Sequence, residues 1–236
     1  MKSFKLFCFP FAGGSSEYYR GWFRELNKDV ELIPVEIAGR GKRFGEKLQN
    51  NLKDMVDDIF LKVKDQISPG DHFGFFGHSM GGLLSYNLAL KFQEEQFSFP
   101  EKIFISSTAA PDTIRQLKYH TLPEDAFITS IKKMGSLNTE VLDNKDMRDV
   151  FIPILRSDFQ AVETCKVELG KKVKSAEVHI MYGKQDKFSE EEVLRWQYYF
   201  ENRISFHAYD GDHFYIEHNL DSITELINKS ISVLVK

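Results

Sequence analysis

Cysteine, long apolar runs and an excess of charge of one sign are all scarce or missing in this 236-residue sequence. Only Cys8 and Cys165 are present, far apart and in no Cys-x-x-Cys or Cys/His spacing, which excludes a disulfide framework and a structural zinc site. Unpaired thiols suit a reducing compartment, so a cytoplasmic protein is expected. No stretch approaches the roughly 18 uninterrupted apolar residues of a membrane span. The short run ending at Phe9-Pro10 has no small-residue cleavage site after it and reads as a buried strand, not a secretory signal. With 31 Lys and Arg against 35 Asp and Glu, the net charge of −4 lacks the cationic field of a nucleic-acid binder. Repeats and low-complexity tracts are absent as well, and a single domain spanning 1–236 is expected.

What the chain does contain is an alternation of short apolar runs with segments of helical period, the pattern of an α/β protein with a mostly parallel sheet. Six strands are expected: Lys5 to Phe9, Glu31 to Glu36, His72 to Phe76, Lys102 to Ser106, Glu177 to Tyr182 and Ile204 to Tyr209. Leu52, Met55, Val56, Ile59, Val63 and Ile67 fall on one helical face. Ser189-Glu190-Glu191-Glu192 has the form of a capping box and starts a helix carrying Val193, Trp196 and Tyr199 or Phe200. A last helix is expected from about Asp221 to Val235. From Ala110 to Lys174 no strand is evident, only amphipathic pieces, Asp125 to Met134 and Lys145 to Leu155, broken at Gly135-Ser136 and Pro153. That length is too great for a plain loop, so residues 110–174 are expected to form an inserted helical lid.

Gly77-His78-Ser79-Met80-Gly81-Gly82 matches Gly-x-Ser-x-Gly, the strand-to-helix turn that lifts a serine hydroxyl above a parallel sheet. The apolar strand before it and the helix-forming run after it supply the required context. A serine hydroxyl needs a base and a group to orient that base, which on this fold follow in the order acid, then histidine. Asp186 follows the fifth expected strand and His213 the sixth, so both emerge at the sheet edge of Ser79; Asp210 and Asp212 compete for the acid role. Backbone amides must also meet the developing oxyanion. Met80 supplies one by position, and the glycine-rich turn after the first strand supplies the other, from Ala12 or, next in order, Phe11. A phosphate-binding reading of Gly13-Gly14-Ser15-Ser16 fails because no Lys-Ser or Lys-Thr follows at the proper spacing.

These residues resemble a family, the type II thioesterases, stand-alone α/β-hydrolase editing enzymes of nonribosomal peptide and polyketide assembly lines. The similarity runs through Phe9-Pro10-Phe11-Ala12-Gly13-Gly14, Gly39-Arg40 with Arg43, and the elbow. It continues through Leu122-Pro123-Glu124-Asp125, Leu155-Arg156-Ser157-Asp158-Phe159 and Gly211-Asp212-His213-Phe214. Two departures stand out: Ala38-Gly39-Arg40-Gly41 where the family has Pro-Gly-Arg-Glu, and Gly211-Asp212-His213 where it has Gly-Gly-His.

The resemblance implies hydrolysis of acyl thioesters from the phosphopantetheine arm of carrier proteins, clearing misprimed or stalled chains. A monomer is expected, and no metal or organic cofactor, because a triad needs neither. The resemblance also makes Arg40, Lys42 and Arg43 candidate contacts to an acidic carrier. Phe127, Ile128, Ile131, Met134, Leu137, Val150, Phe151 and Leu155 are candidate walls of an acyl tunnel. The residues alone reach only a serine hydrolase. A medium-chain thioesterase of fatty-acid synthesis, a small-molecule carboxylesterase and a silent carrier-binding protein stay open at this point.

Overall fold

Strands, helices and loops of a computed structural model are described over residues 3–113, 117–134, 142–166 and 170–232. Six parallel strands form one sheet in the order β2-β1-β3-β4-β5-β6: β1 Phe4–Phe9, β2 Val30–Pro34, β3 His72–His78, β4 Lys102–Ser106, β5 Glu177–Gly183 and β6 Ser205–Tyr209. This is the α/β-hydrolase architecture, and every strand expected from the sequence is present within two residues at its ends.

The two-residue period of the strands divides the core into two layers. Phe7, Phe9, Phe73, Phe75, Ile103, Ile105, Val178 and Ile180 point to one face, where α1 (Leu52–Lys64) and α2 (Met80–Glu94) cover them. Phe4, Leu6, Cys8, Phe76, Phe104 and Met181 point to the other, under Tyr19 and Trp22 of a 3₁₀ turn and Ile223, Ile227 and Ile231 of the C-terminal helix. That helix, α6, runs Leu220–Ile231; the remainder of the expected span to Val235 lies outside the described residues. The two cysteines are unpaired, Cys8 inside the sheet core and Cys165 half-buried.

Between β4 and β5, the described residues hold α3 (Glu124–Lys132), α4 (Lys145–Glu163) and two short 3₁₀ turns. Phe127, Ile128, Ile131, Leu142, Ile152 and Leu155 form an apolar cluster of their own there. Proline does not break α4, contrary to expectation: the helix continues through Pro153 for ten further residues. Pro153 faces solvent, where the carbonyl it leaves unpaired can be hydrated, while Ile152, Ile154 and Leu155 on either side are buried. Burial of those side chains outweighs the roughly 3 kcal/mol that an interior proline costs.

The capping box after β5 is present with both of its hydrogen bonds, but the α-helix it starts, α5, spans only Glu190–Leu194 before tightening to 3₁₀ over Arg195–Tyr199. Val193, Trp196 and Tyr199 are spaced by three, and a threefold turn aligns all three toward the core.

One polar pair sits within the sheet. His179 Nδ1 lies 3.0 Å from His207 Nε2 on the neighbouring strand, while His179 Nε2 meets Glu177 and Ser230. Burial holds both imidazoles below their ordinary pKa, against the pull of Glu177 on His179, and the Lys102 ammonium adds to the depression of His179. A depressed pKa in the folded state means the unfolded chain binds more protons below about pH 6.5, so stability present above that pH is lost as it falls. The melting temperature should therefore drop more between pH 7 and 5.5 in the wild type than in His207→Gln. Parallel drops would remove the histidine pair as the cause.

Candidate active site

Ser79 is the hinge between β3 and α2, with φ of 55° and ψ of −117°, a conformation that L-residues adopt only under constraint. Its amide donates to the Ser106 carbonyl at 2.7 Å, anchoring the turn to β4. The flanking glycines are required by space: a Cβ at Gly77 would overlap the Gly81 carbonyl, and a Cβ at Gly81 would overlap that of Phe9. Ser79 makes no capping bond to its own helix, which leaves the hydroxyl available.

That hydroxyl lies 3.0 Å from His213 Nε2, and His213 Nδ1 lies 3.0 Å from Asp186 Oδ2. The Asp186 carboxylate is buried and also accepts the Lys187 amide at 2.7 Å. The other two aspartates are engaged elsewhere: Asp210 pairs with Lys184 in solvent, and Asp212 accepts the Phe214 amide within its own loop. His207 is engaged within the sheet and His218 is exposed.

Ser106, Ser107 and Tyr215, together with His78 at the variable position of the elbow motif, support this line. Ser107 Oγ donates to the His213 carbonyl at 2.8 Å and anchors the His213 backbone. Ser106 Oγ bridges His78 Nδ1 and the Tyr215 hydroxyl. His78 packs its ring 5.4 Å from that of His213, and complete burial pushes its pKa well below the ordinary imidazole value. A signal for Ser106-Ser107 exists in the sequence, since they end a buried strand at the same sheet edge as Ser79.

Above the serine opens a cavity of about 370 Å³, in the range of small-ligand sites. Ala12, Ser79 and Met80 line its floor, and Ile131, Met134 and Phe159 its roof. Phe11 also borders it. Of the expected tunnel walls, Ile131 and Met134 reach the cavity; Phe127, Ile128 and Leu155 are buried within the helical cluster, Phe151 packs against it, and Val150 is exposed. Leu137 lies outside the described residues. Phe159 and Val162 line the cavity without having been anticipated.

The three basic residues after β2 separate. Arg40 is 3 % exposed and grips Asp158, so it cannot meet a docking partner. Arg43 is tied to Glu46 and Asp58, and Lys42 alone faces solvent. A charge read from sequence as surface is interior because a buried carboxylate 118 residues away neutralises it. Among the described residues no cluster of His, Cys, Asp or Glu is arranged to hold a metal, and no helix is long and apolar enough to cross a membrane.

A hydroxyl, an imidazole and a carboxylate in hydrogen-bonded line at the carboxyl edge of a parallel sheet are the constellation of serine hydrolases. Residues 4–231 match the family model "Thioesterase domain", and the chain belongs to that family of hydrolases acting on thioesters. It is 26 % identical to the gramicidin S biosynthesis protein GrsT of Aneurinibacillus migulanus, over 98 % of this chain and 90 % of that protein. It is 29 % identical to the medium-chain S-acyl fatty acid synthase thioesterase of Rattus norvegicus, over 90 % and 81 %. ClbQ from the colibactin NRPS/PKS pathway superposes with a TM-score of 0.91 at 26 % identity, covering 99 % of this chain and 98 % of the other.

Proposed function

We propose that this protein is a type II thioesterase that hydrolyses acyl groups from the phosphopantetheine arm of carrier proteins in nonribosomal peptide or polyketide biosynthesis, removing misprimed or stalled chains. The observation that carries the reading is the Ser79–His213–Asp186 line beneath an apolar cavity, in a chain of the thioesterase family. Relatives named for gramicidin S and colibactin pathways support the biosynthetic setting. Such a setting, together with unpaired cysteines, favours a cytoplasmic enzyme, which we take to act as a monomer. Residues 110–174 serve as its lid within one hydrolase domain.

In this mechanism Ser79 Oγ attacks the thioester carbonyl while His213 Nε2 takes its proton, and Asp186 holds Nδ1–H toward itself. The amides of Met80 and Ala12 receive the oxyanion; Met80 begins α2, whose N-terminal dipole favours negative charge there. The protonated His213 returns its proton to the departing pantetheine thiolate. Water, deprotonated by His213, then releases the acid from Ser79. Neither metal nor organic cofactor enters these steps.

The test is intact mass spectrometry of acetyl- and octanoyl-loaded carrier protein after incubation with the enzyme, beside the same acyl groups on free pantetheine. Loss of acetyl from the carrier, faster than from pantetheine, is expected of an editing enzyme. Preference for octanoyl with acetyl untouched would instead support the fatty-acid role of the rat relative. Cleavage of simple oxygen esters alone would leave a general esterase.

A further inference from the structure

The glycine-rich turn that offers Ala12 to the oxyanion is not held by the sheet alone. Phe11 to Gly14 form a tight turn, closed by the Gly14 amide donating to the Phe11 carbonyl at 2.9 Å, with Gly13 at φ of 80° in the third position, as a type II turn requires. The Gly13 amide points out of that turn and donates at 2.7 Å to Asp158 Oδ2. Asp158 belongs to α4, 145 residues further on, and is fully buried. Arg40 neutralises it through a two-pronged pair at 2.5 and 2.6 Å and reaches on to the Gly14 carbonyl at 3.3 Å. The same helix lies against the turn: a Cβ on Gly13 would come within 2.6 Å of Leu155 Cδ2.

We propose that Asp158 is a positioning residue for thioester hydrolysis: its carboxylate holds the Gly13 amide, and through it the Ala12 backbone, in the orientation that receives the oxyanion. The inference rests on Ser79 as nucleophile and Ala12 as donor. The central peptide of a four-residue turn can take either of two orientations that exchange the positions of its carbonyl and its N–H. A carboxylate facing that peptide binds the N–H and repels the carbonyl, so Asp158 selects one of them. Fixing the Ala12–Gly13 peptide together with the Phe11–Gly14 bond leaves the intervening Ala12 amide little freedom. Because the selecting group sits on α4, the helix that carries the cavity's Phe159 must be seated for the oxyanion site to be complete. Arg40 contributes differently, by supplying the counter-charge without which a buried carboxylate is costly.

Removing Asp158 alone leaves Arg40 buried and unpaired, which damages folding as well as catalysis. The test therefore compares two doubly substituted enzymes that both lack the ion pair, R40M/D158N and R40M/D158L. Asparagine retains an oxygen for the Gly13 amide and leucine does not. With kcat expressed per active site titrated by a phosphonofluoridate, the leucine pair should turn over at least tenfold more slowly than the asparagine pair, with KM alike. Inhibition by an acyl trifluoromethyl ketone, whose serine adduct carries the oxyanion, should weaken by the same factor. A loss that was only structural would change the titrated fraction or KM and leave kcat per site equal in the two pairs, and that result overturns the proposal. Should the leucine pair not fold, R40M/D158A, which also lacks both the ion pair and the oxygen, takes its place in the comparison with R40M/D158N. Ser79→Ala run in parallel separates the two claims: turnover surviving in it refutes the nucleophile, whereas equal asparagine and leucine rates beside an inactive Ser79→Ala refute only the role of Asp158.

Discussion

Ser79→Ala should lower kcat on an acyl thioester by about 10⁴-fold or more while shifting the melting temperature by no more than a few degrees. The hydroxyl's partner is His213, and the backbone bonds that hold the turn, Ser79 amide to Ser106 and Gly82 amide to the Ser79 carbonyl, do not involve the side chain. Alanine meets the same positive φ with the same Cβ, so the strain of the elbow is unchanged. On the proposed mechanism, what disappears is the atom that forms the acyl-enzyme. The amides proposed to meet the oxyanion, with the cavity, would sustain only a weak direct attack by water. Steady-state rates and a thermal melt on the same preparation check both halves. Turnover within tenfold of the wild type would mean that the serine is not the nucleophile, and a collapse of the melt would mean that its hydroxyl is structural.

Gly77→Ala should be among the most damaging single methyl groups in the described residues. A Cβ there would overlap the Gly81 carbonyl and press on the Gly82 nitrogen, both main-chain atoms at the start of α2, so no side-chain rotation can relieve it. The helix would have to lift from the strand, and Ser79 with it. A cost of about 4 kcal/mol, at the upper end for point substitutions, corresponds to a melting temperature roughly 10 °C lower in a chain of this size. Activity should fall by a hundredfold or more, because a displacement of an ångström at the nucleophile suffices for that. Gly21→Ala is the control: it is exposed in a 3₁₀ turn, nothing lies within 4 Å of the added carbon, and its melt should stay close to that of the wild type. If Gly77→Ala and Gly21→Ala melt alike, the space requirement at the elbow is wrong.

Much of the site is legible in the sequence because its parts obey local rules. Parallel strands buried on both faces read as short apolar runs, and groups at their carboxyl ends share one edge, so Ser79, Asp186 and His213 can be placed together from strand order alone. The choice of Asp186 over Asp210 and Asp212 is different in kind. All three flank the same two loops, and only the geometry puts one carboxylate, buried, against His213 Nδ1. The acyl cavity is legible only in part for the same reason: an amphipathic helix announces an apolar face, but whether Ile131 or Phe127 meets the cavity depends on how α3 and α4 rotate against each other.

The sequence by itself determined the apolar runs of the sheet, the elbow at Ser79 and the glycine turn at the end of β1, since each depends on neighbours a few residues apart. Only the tertiary structure decided that Arg40 is interior, that α4 survives Pro153 and that Asp158 reaches the turn at the end of β1. Those outcomes depend on contacts between residues more than a hundred positions apart, or on burial that outweighs a local preference. A lone charge or a lone proline follows its local rule until packing supplies a partner or a compensating buried face.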